Sequence, residues 1–217
     1  MSVITIERKV LEKNDELARQ NRELFEKYKN FVINLVSSPG SGKTSLLEAT
    51  LAKLKGSLAV SVIEGDVQTD LDAQRVAKMK VPVVQIVTNG GCHLEAKLVS
   101  DALRNIDLTT TNLLVIENVG NLVCPANYDL GEAHKVVVLS VTEGDDKPLK
   151  YPSMFRNASV LIINKIDLLP YVDSNIERLK KHAWSINPKL QVFETSCRTG
   201  EGIDVWCKWL TEHAKAE

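Results

Sequence analysis

FVINLVSSPGSGKTSLLEAT, residues Phe31 to Thr50, is the stretch on which the fold turns. Phe31 to Val36 is an apolar run without helical alternation, as expected of a strand buried on both faces. Leu46, Leu47, Ala49, Thr50 and Leu54 then recur at helical spacing. Between them lies SSPGSGKT, in which Gly40 and Gly42 let the backbone curl so that successive N–H groups point at phosphate oxygens. Lys43 adds a cation, and the Thr44 hydroxyl suits a magnesium ion. Gly40, Ser41, Gly42, Lys43, Thr44 and Ser45 are therefore the predicted phosphate-binding set, and the implied ligand is a nucleoside triphosphate. The common pattern GxxxxGK(S/T) would place glycine at Ser37, a residue expected at the strand exit and clear of the phosphates.

Further apolar, β-branched runs follow at Leu58 to Ile63, Val81 to Val87, Leu113 to Ile116, Val136 to Val141, Val160 to Ile163 and Leu190 to Phe193. Helical patterns separate most of them, notably Leu94 to Leu103, Ile176 to Ile186 and Ile203 to His213. The predicted class is α/β: a P-loop NTPase three-layer sandwich whose mainly parallel sheet of about seven strands is flanked by helices. Ligands of such sheets bind at the carboxyl ends of the strands. Residues 1–30 differ, being highly charged with apolar residues at Val3, Ile6, Val10, Leu17, Leu24 and Tyr28. They predict an N-terminal amphipathic segment, one long helix or two short ones, that covers an edge of the sheet or, alternatively, docks a partner or a second copy. The expected division is 1–30 for that segment and 31–217 for the nucleotide-binding domain.

A chain of 217 residues accommodates one such domain with a substantial core. Its formal charge of -1 supplies no bulk field for nucleic acid or anionic membrane, so neither is an expected partner. No apolar run approaches membrane-spanning length, and a soluble, non-exported protein is expected. Cys92, Cys124, Cys197 and Cys207 then read as free thiols or metal ligands in a reducing cytoplasm, not as disulfides.

The sixth predicted strand runs directly into Asn164, Lys165, Ile166 and Asp167. A carboxylate only accepts hydrogen bonds, and guanine presents two donors on one edge where adenine presents no such pair, so Asp167 selects GTP over ATP. The seventh run ends in ETSCRT, where Ser196 and Cys197 resemble a loop that supports the guanine base, with Cys197 a packing residue. Hydrolysis then needs magnesium, positioned phosphates and an oriented water. LLVIENVG offers Glu117 as a carboxylate for magnesium and Gly120 as an N–H that senses the γ-phosphate. EGDVQTDLDAQR offers Asp66, Asp70 and Asp72, of which Asp72 and Asp66 are the magnesium or switch candidates. No glutamine or arginine finger is assignable, which predicts slow intrinsic turnover.

Two loops at strand ends carry soft ligands: NGGCHLEA with Cys92 and His93, and ENVGNLVCPANYD with Cys124. A thiolate and an imidazole side by side with a distant cysteine suit zinc or nickel, and three ligands leave a position open. Cys124 lies in the segment expected to rearrange with the γ-phosphate, so nucleotide state could move one ligand relative to the other two. His134 and Asp129 read as surface or capping residues, and His182, His213 and Cys207 as structural ones.

SSPGSGKTSLLE, EGDVQTDLDAQR, NGGCHLEA, IENVGNLVCPANYDLGE, VTEGDDKP and NKIDLL occur in that order, and with them the chain resembles the HypB family, GTPases of the SIMIBI class that help insert nickel into [NiFe]-hydrogenase. Urease accessory GTPases are similar but generally carry a Cys-Pro-His signature that is not found here. The resemblance implies that Cys92, His93 and Cys124 form a nickel or zinc site and that Thr44, Asp72 and Glu117 serve magnesium. It further implies a homodimer favoured by GTP with the metal site near its two-fold interface, a HypA-type nickel chaperone as partner, and the hydrogenase large-subunit precursor as recipient. Many relatives add an N-terminal cysteine motif or histidine-rich stretch; residues 1–30 contain neither Cys nor His. Nickel delivery is therefore expected to run through the Cys92, His93 and Cys124 site or a partner. Two other classes bear on the same residues: a regulatory GTPase module with structural zinc, and a P-loop small-molecule kinase with incidental cysteines.

Overall fold

In a computed structural model, residues 6–68 and 71–216 are described. Asp70 and Val3 lie outside them. A 23-residue helix α1 (Ile6–Tyr28) leads into β1 (Phe31–Ser37), whose seven residues are all buried. α2 (Lys43–Leu54), β2 (Val60–Asp66), α3 (Leu71–Ala77), β3 (Val83–Val87), α4 (Ala96–Leu103) and β4 (Leu113–Gly120) follow. A 3-10 turn at Cys124–Asn127 precedes β5 (His134–Ser140), the short helices α5 (Lys147–Lys150) and α6 (Pro152–Asn157), and β6 (Val160–Asn164). The chain closes with α7 (Ile176–Ile186), β7 (Gln191–Glu194) and α8 (Ile203–Ala216).

Among the described residues seven strands form one sheet in the order β3-β2-β4-β1-β5-β6-β7, and every pairing is parallel. Such a sheet is buried on both faces, which is why its strands read as unbroken apolar runs. In β5, Val136 and Val138 pack under α2 and α8, whereas Val137 and Leu139 pack under α6 and α7. The direction of winding reverses at β1, so the crevice at its carboxyl end is where a ligand belongs.

Two strands run further than the sequence suggests. β2 continues through Glu64 to Asp66, and β4 continues past Ile116 through Glu117 and Asn118 to Gly120. Their extensions carry buried polar residues, Glu64 and Glu117 toward the site and Asn118 on the opposite face, which an apolar-run criterion cannot see. The N-terminal segment also departs from expectation. α1 is a single helix, and it lies over a face of the sheet beside α4, with Phe25 packed among Val32, Ile63, Leu94, Val99 and Ile116, where an edge position was predicted. Its most buried stripe is Asn14, Ala18, Asn21 and Phe25, with Leu17, Leu24 and Tyr28 only half-buried on its flank. The amides are inside because they bind backbone: Asn14 Nδ2 donates to Asp129 O at 2.8 Å and its Oδ1 accepts from Ala96 N at 2.9 Å. Asn21 Nδ2 donates to Ala96 O at 3.0 Å and Leu130 O at 3.1 Å.

Candidate nucleotide and metal sites

The loop after β1 curls over the amino end of α2. Gly42 caps α2 at φ 96°, and a Cβ there would stand 2.6 Å from Asn164 Nδ2, so both the left-handed backbone and the close approach demand glycine. Ser41 Oγ donates to Ser38 O at 3.0 Å and holds the turn. Lys43, Thr44, Asp66, Asp72, Gly120 and Lys165 all wall the pocket above it. Ser37 lies fully buried at the strand exit beneath that pocket, its Oγ donating to Ser38 O at 2.8 Å. The strand exit itself forms the pocket floor.

β2 and β4 bring two carboxyl groups to this pocket in register, Glu64 opposite Glu117. Glu117 is 1% exposed; its Oε1 accepts from Thr44 Oγ1 at 2.8 Å and lies 3.6 Å from Lys43 Nζ. Burial raises the Glu117 carboxyl against the pull of Lys43. Burial and then the Glu117 charge push Glu64 up to about 11. Asp72 completes a group whose oxygens all lie within 4.8 Å of one another. Oε2 of Glu64 and Oε2 of Glu117 are buried without a hydrogen-bond partner. Two buried carboxyl groups, each with an unpartnered oxygen, converging beside a hydroxyl are a donor set that a hard divalent cation would hold as carboxylates, so these residues fit magnesium. Glu64 had escaped the sequence reading. Its signal was a carboxylate directly after Ile63, the last residue of the apolar run, in a strand that has no solvent-facing side once it is allowed to continue. Asp66 walls the pocket through its own turn, with Oδ1 accepting from Gln68 N at 2.9 Å, and is not one of that trio. Asp72 is also held by Arg75 at 3.1 Å, whose guanidinium grips Glu48 of α2 as well.

On the other side of the phosphate loop stand the residues predicted to read guanine, each held by hydrogen bonds. Asn164 Nδ2 donates to Ser41 O at 3.1 Å, and Lys165 Nζ to Gly40 O at 2.6 Å, so this loop braces the phosphate loop. Ser196 Oγ donates to Asp167 Oδ1 at 2.6 Å and orients the carboxylate. Cys197 Sγ lies 3.4 Å from Asn164 Oδ1, and burial pushes its thiol up, so it packs in the neutral form. Asp167, Cys197, Asn164 and Lys165 line a second pocket that shares Gly42, Ser45 and Lys165 with the phosphate pocket.

The loops after β3 and β4 converge next to this assembly. Cys92, His93 and Cys124 present ligand atoms that lie within 4.8 Å of one another. Asn121 sets the second loop by accepting from Val123 N at 2.7 Å and Cys124 N at 3.1 Å. Cys92 and Cys124 are joined as a disulfide with Cα atoms 6.2 Å apart, which corrects the expectation of free thiols; the two loops bring the sulfurs face to face. The same juxtaposition makes the reduced pair a chelating dithiolate. His93 Nε2 is buried without a hydrogen-bond partner, and burial lowers the His93 ring, opposed by Glu95. A neutral imidazole beside two sulfurs is a donor set for a soft or borderline ion such as nickel or zinc. The Tyr128 ring lies 3.9 Å from that of His93 and fixes one side of it, a contact with no sequence signature.

The remaining candidates are structural. Asp129 accepts from Arg22 and Gly131. His182 and His213 bond backbone carbonyls of Asp145 and Trp209. His134 is not a surface residue as predicted. It packs against Phe31 and Trp209 with Nδ1 2.8 Å from Ser159 Oγ, at the amino end of β5 and so away from the site.

The family model described as CobW/HypB/UreG, nucleotide-binding domain, matches residues 31–194. The hydrogenase maturation factor HypB of Escherichia coli (strain K12) is 51% identical over 208 residues, 96% of this chain and 72% of the relative. Among solved structures, HypB from Helicobacter pylori in complex with nickel superposes with a TM-score of 0.89 at 39% identity, covering 94% of this chain and 96% of that one. HypB from Archaeoglobus fulgidus gives 0.87 at 37% identity, covering 93% and 98%. With that reach of identity along a seven-stranded P-loop fold, the chain belongs to the HypB family within the CobW/HypB/UreG group.

Proposed function

We propose that this P-loop NTPase is a slow, magnesium-dependent GTPase that acts as a metallochaperone, delivering nickel during [NiFe]-hydrogenase maturation. The observation that carries the reading is the placement of two donor sets on one continuous segment. Glu117 ends its run against Thr44 and Lys43, and Cys124, seven residues on, meets Cys92 and His93. The hydrogenase maturation role of the relatives and the nickel in the Helicobacter pylori structure point the same way.

In this mechanism Asp167, oriented by Ser196, accepts from guanine N1–H and N2–H, and Asn164 and Lys165 brace the loop beneath. Gly40, Ser41, Gly42 and Ser45 shape the phosphate cradle, Lys43 neutralises the phosphate oxygens, and Gly120 offers its N–H to the γ-phosphate. Thr44, Asp72, Glu117 and Glu64 would hold magnesium, which supplies charge neutralisation to the transferred phosphoryl group. Reduced Cys92 and Cys124 with His93 take nickel or zinc as cargo and leave a coordination position open for transfer. GTP favours a homodimer across the metal-bearing face, where Val123 stands 64% exposed beside Cys124. A HypA-type chaperone and the hydrogenase large-subunit precursor are the partners, in the cytoplasm; among the described residues no helix is long and apolar enough to cross a membrane.

The double replacement of Cys92 and Cys124 by serine tests the delivery role. The expected outcome is loss of stoichiometric nickel binding with GTP turnover and the urea unfolding midpoint of the metal-free, reduced protein retained. A variant that unfolds whenever metal is withheld would make the site structural instead.

A further inference from the structure

Glu117 and Asn118 are consecutive residues of β4, so their side chains leave opposite faces of the sheet. Glu117 faces α2 and the phosphate loop. Asn118, 2% exposed, faces α4, and its Oδ1 accepts from Leu94 N at 3.0 Å as well as from Val119 N at 2.9 Å. Leu94 is fully buried and directly follows His93. We propose that Asn118 is the positioning residue through which nucleotide state reaches the metal loops, a role that rests on the coupled GTPase reading above.

The argument is one of forced partnership. The Leu94 N–H sits where water cannot replace a lost acceptor, and a buried unpaired donor carries the full desolvation penalty. A shift of the Glu117–Gly120 end toward or away from the phosphates must carry Leu94, and with it His93, or break that bond. The amide's other end reaches the second loop. Asn118 Nδ2 donates to Asn34 Oδ1 at 3.2 Å, and Asn34 Nδ2 donates to Glu132 Oε1 at 3.1 Å. Lys135 Nζ lies 3.8 Å from that carboxylate and donates to the carbonyls of Pro125, Ala126 and Tyr128, which tie down the turn bearing Cys124. Asn34, Asn118 and Lys135 are all at least nine-tenths buried, so the chain of bonds is fixed by its own scarcity of alternatives.

The measured quantity is the ratio of nickel dissociation constants of the reduced full chain with GDP and with a nonhydrolysable GTP analogue. The wild-type ratio should depart from one by at least about fivefold, the lower end of ordinary coupling. Asn118→Leu, nearly isosteric but without an acceptor, should bring the ratio within about twofold of one while GTP-analogue affinity changes less than about threefold. Asn118→Asp, which keeps the acceptor for Leu94 N, should restore it in part. A purely structural amide would instead weaken nickel binding equally in both nucleotide states and leave the ratio intact, which overturns the proposal. A wild-type ratio of one removes the coupling itself and this inference with it. Should the leucine variant not fold, exchange of the Leu94 amide in the wild-type chain decides. Protection that differs between the two nucleotide states supports the role, and identical protection refutes it.

Discussion

Asp167 is the group that the proposed function makes responsible for choosing the nucleotide. Its carboxylate is already oriented by Ser196 at 2.6 Å, so little reorganisation accompanies base binding. Asp167→Asn replaces an acceptor with a mixed donor and acceptor facing two guanine donors. A loss of roughly 100-fold in GTP affinity is expected, about 2.7 kcal/mol, with ATP binding unchanged; titration with a fluorescent guanine nucleotide measures it. The role proposed for it was readable from sequence because its chemistry is local and follows from the residue type. Glu64 was not. Its meaning comes from standing opposite Glu117 in an adjacent strand 53 positions along the chain, a pairing that only the register of β2 on β4 creates. Tyr128 against His93 is illegible for the same reason.

Elements behaved differently according to what stabilises them. β1, β5 and β6 are bounded by apolar pattern and matched it within two residues, because burial on both faces is what makes them strands. α1 was found as a helix, but its inward stripe was misassigned. The periodicity of Leu17, Leu24 and Tyr28 pointed to an apolar face, whereas the helix is held by amides that satisfy carbonyls of the two loops beyond the metal ligands. Asn21→Ala strips a donor from two buried carbonyls and should cost about 1–3 kcal/mol, read as a lowered urea midpoint. A second expectation belongs to the junction of β5 and α8. Burial first, and His213 second, lowers the His134 ring below its ordinary value. The unfolded chain therefore binds more protons below about pH 6.5, and stability must fall as pH drops through that region. His134→Gln, which can still bond Ser159, should flatten the fall between pH 7 and 5 by less than one proton; unfolding curves at stepped pH test it.

At the scale of the whole molecule, a sheet that reverses direction at β1 puts the phosphate loop at its centre, the loop proposed to read guanine toward β6 and β7, and the loops proposed to hold magnesium and the soft metal toward β4, β2 and β3. The order of motifs along the chain disclosed this arrangement. The convergence of Cys92 and Cys124 was expected for metal ligands; what motif order did not disclose was that the two sulfurs pair as a disulfide, which depends on how their loops close. On the proposed coupling, such closure would make the metal site sensitive to movement at the end of β4, where the terminal phosphate would act. The most direct measurement is equilibrium nickel binding by the reduced full chain, paired with its thermodynamic mirror, GTP-analogue binding with and without nickel. Linkage requires the same factor in both directions, and a factor of at least about five is expected. Equal nickel affinity in the diphosphate and triphosphate-analogue states, with Cys92, His93 and Cys124 all ligating, would contradict the account.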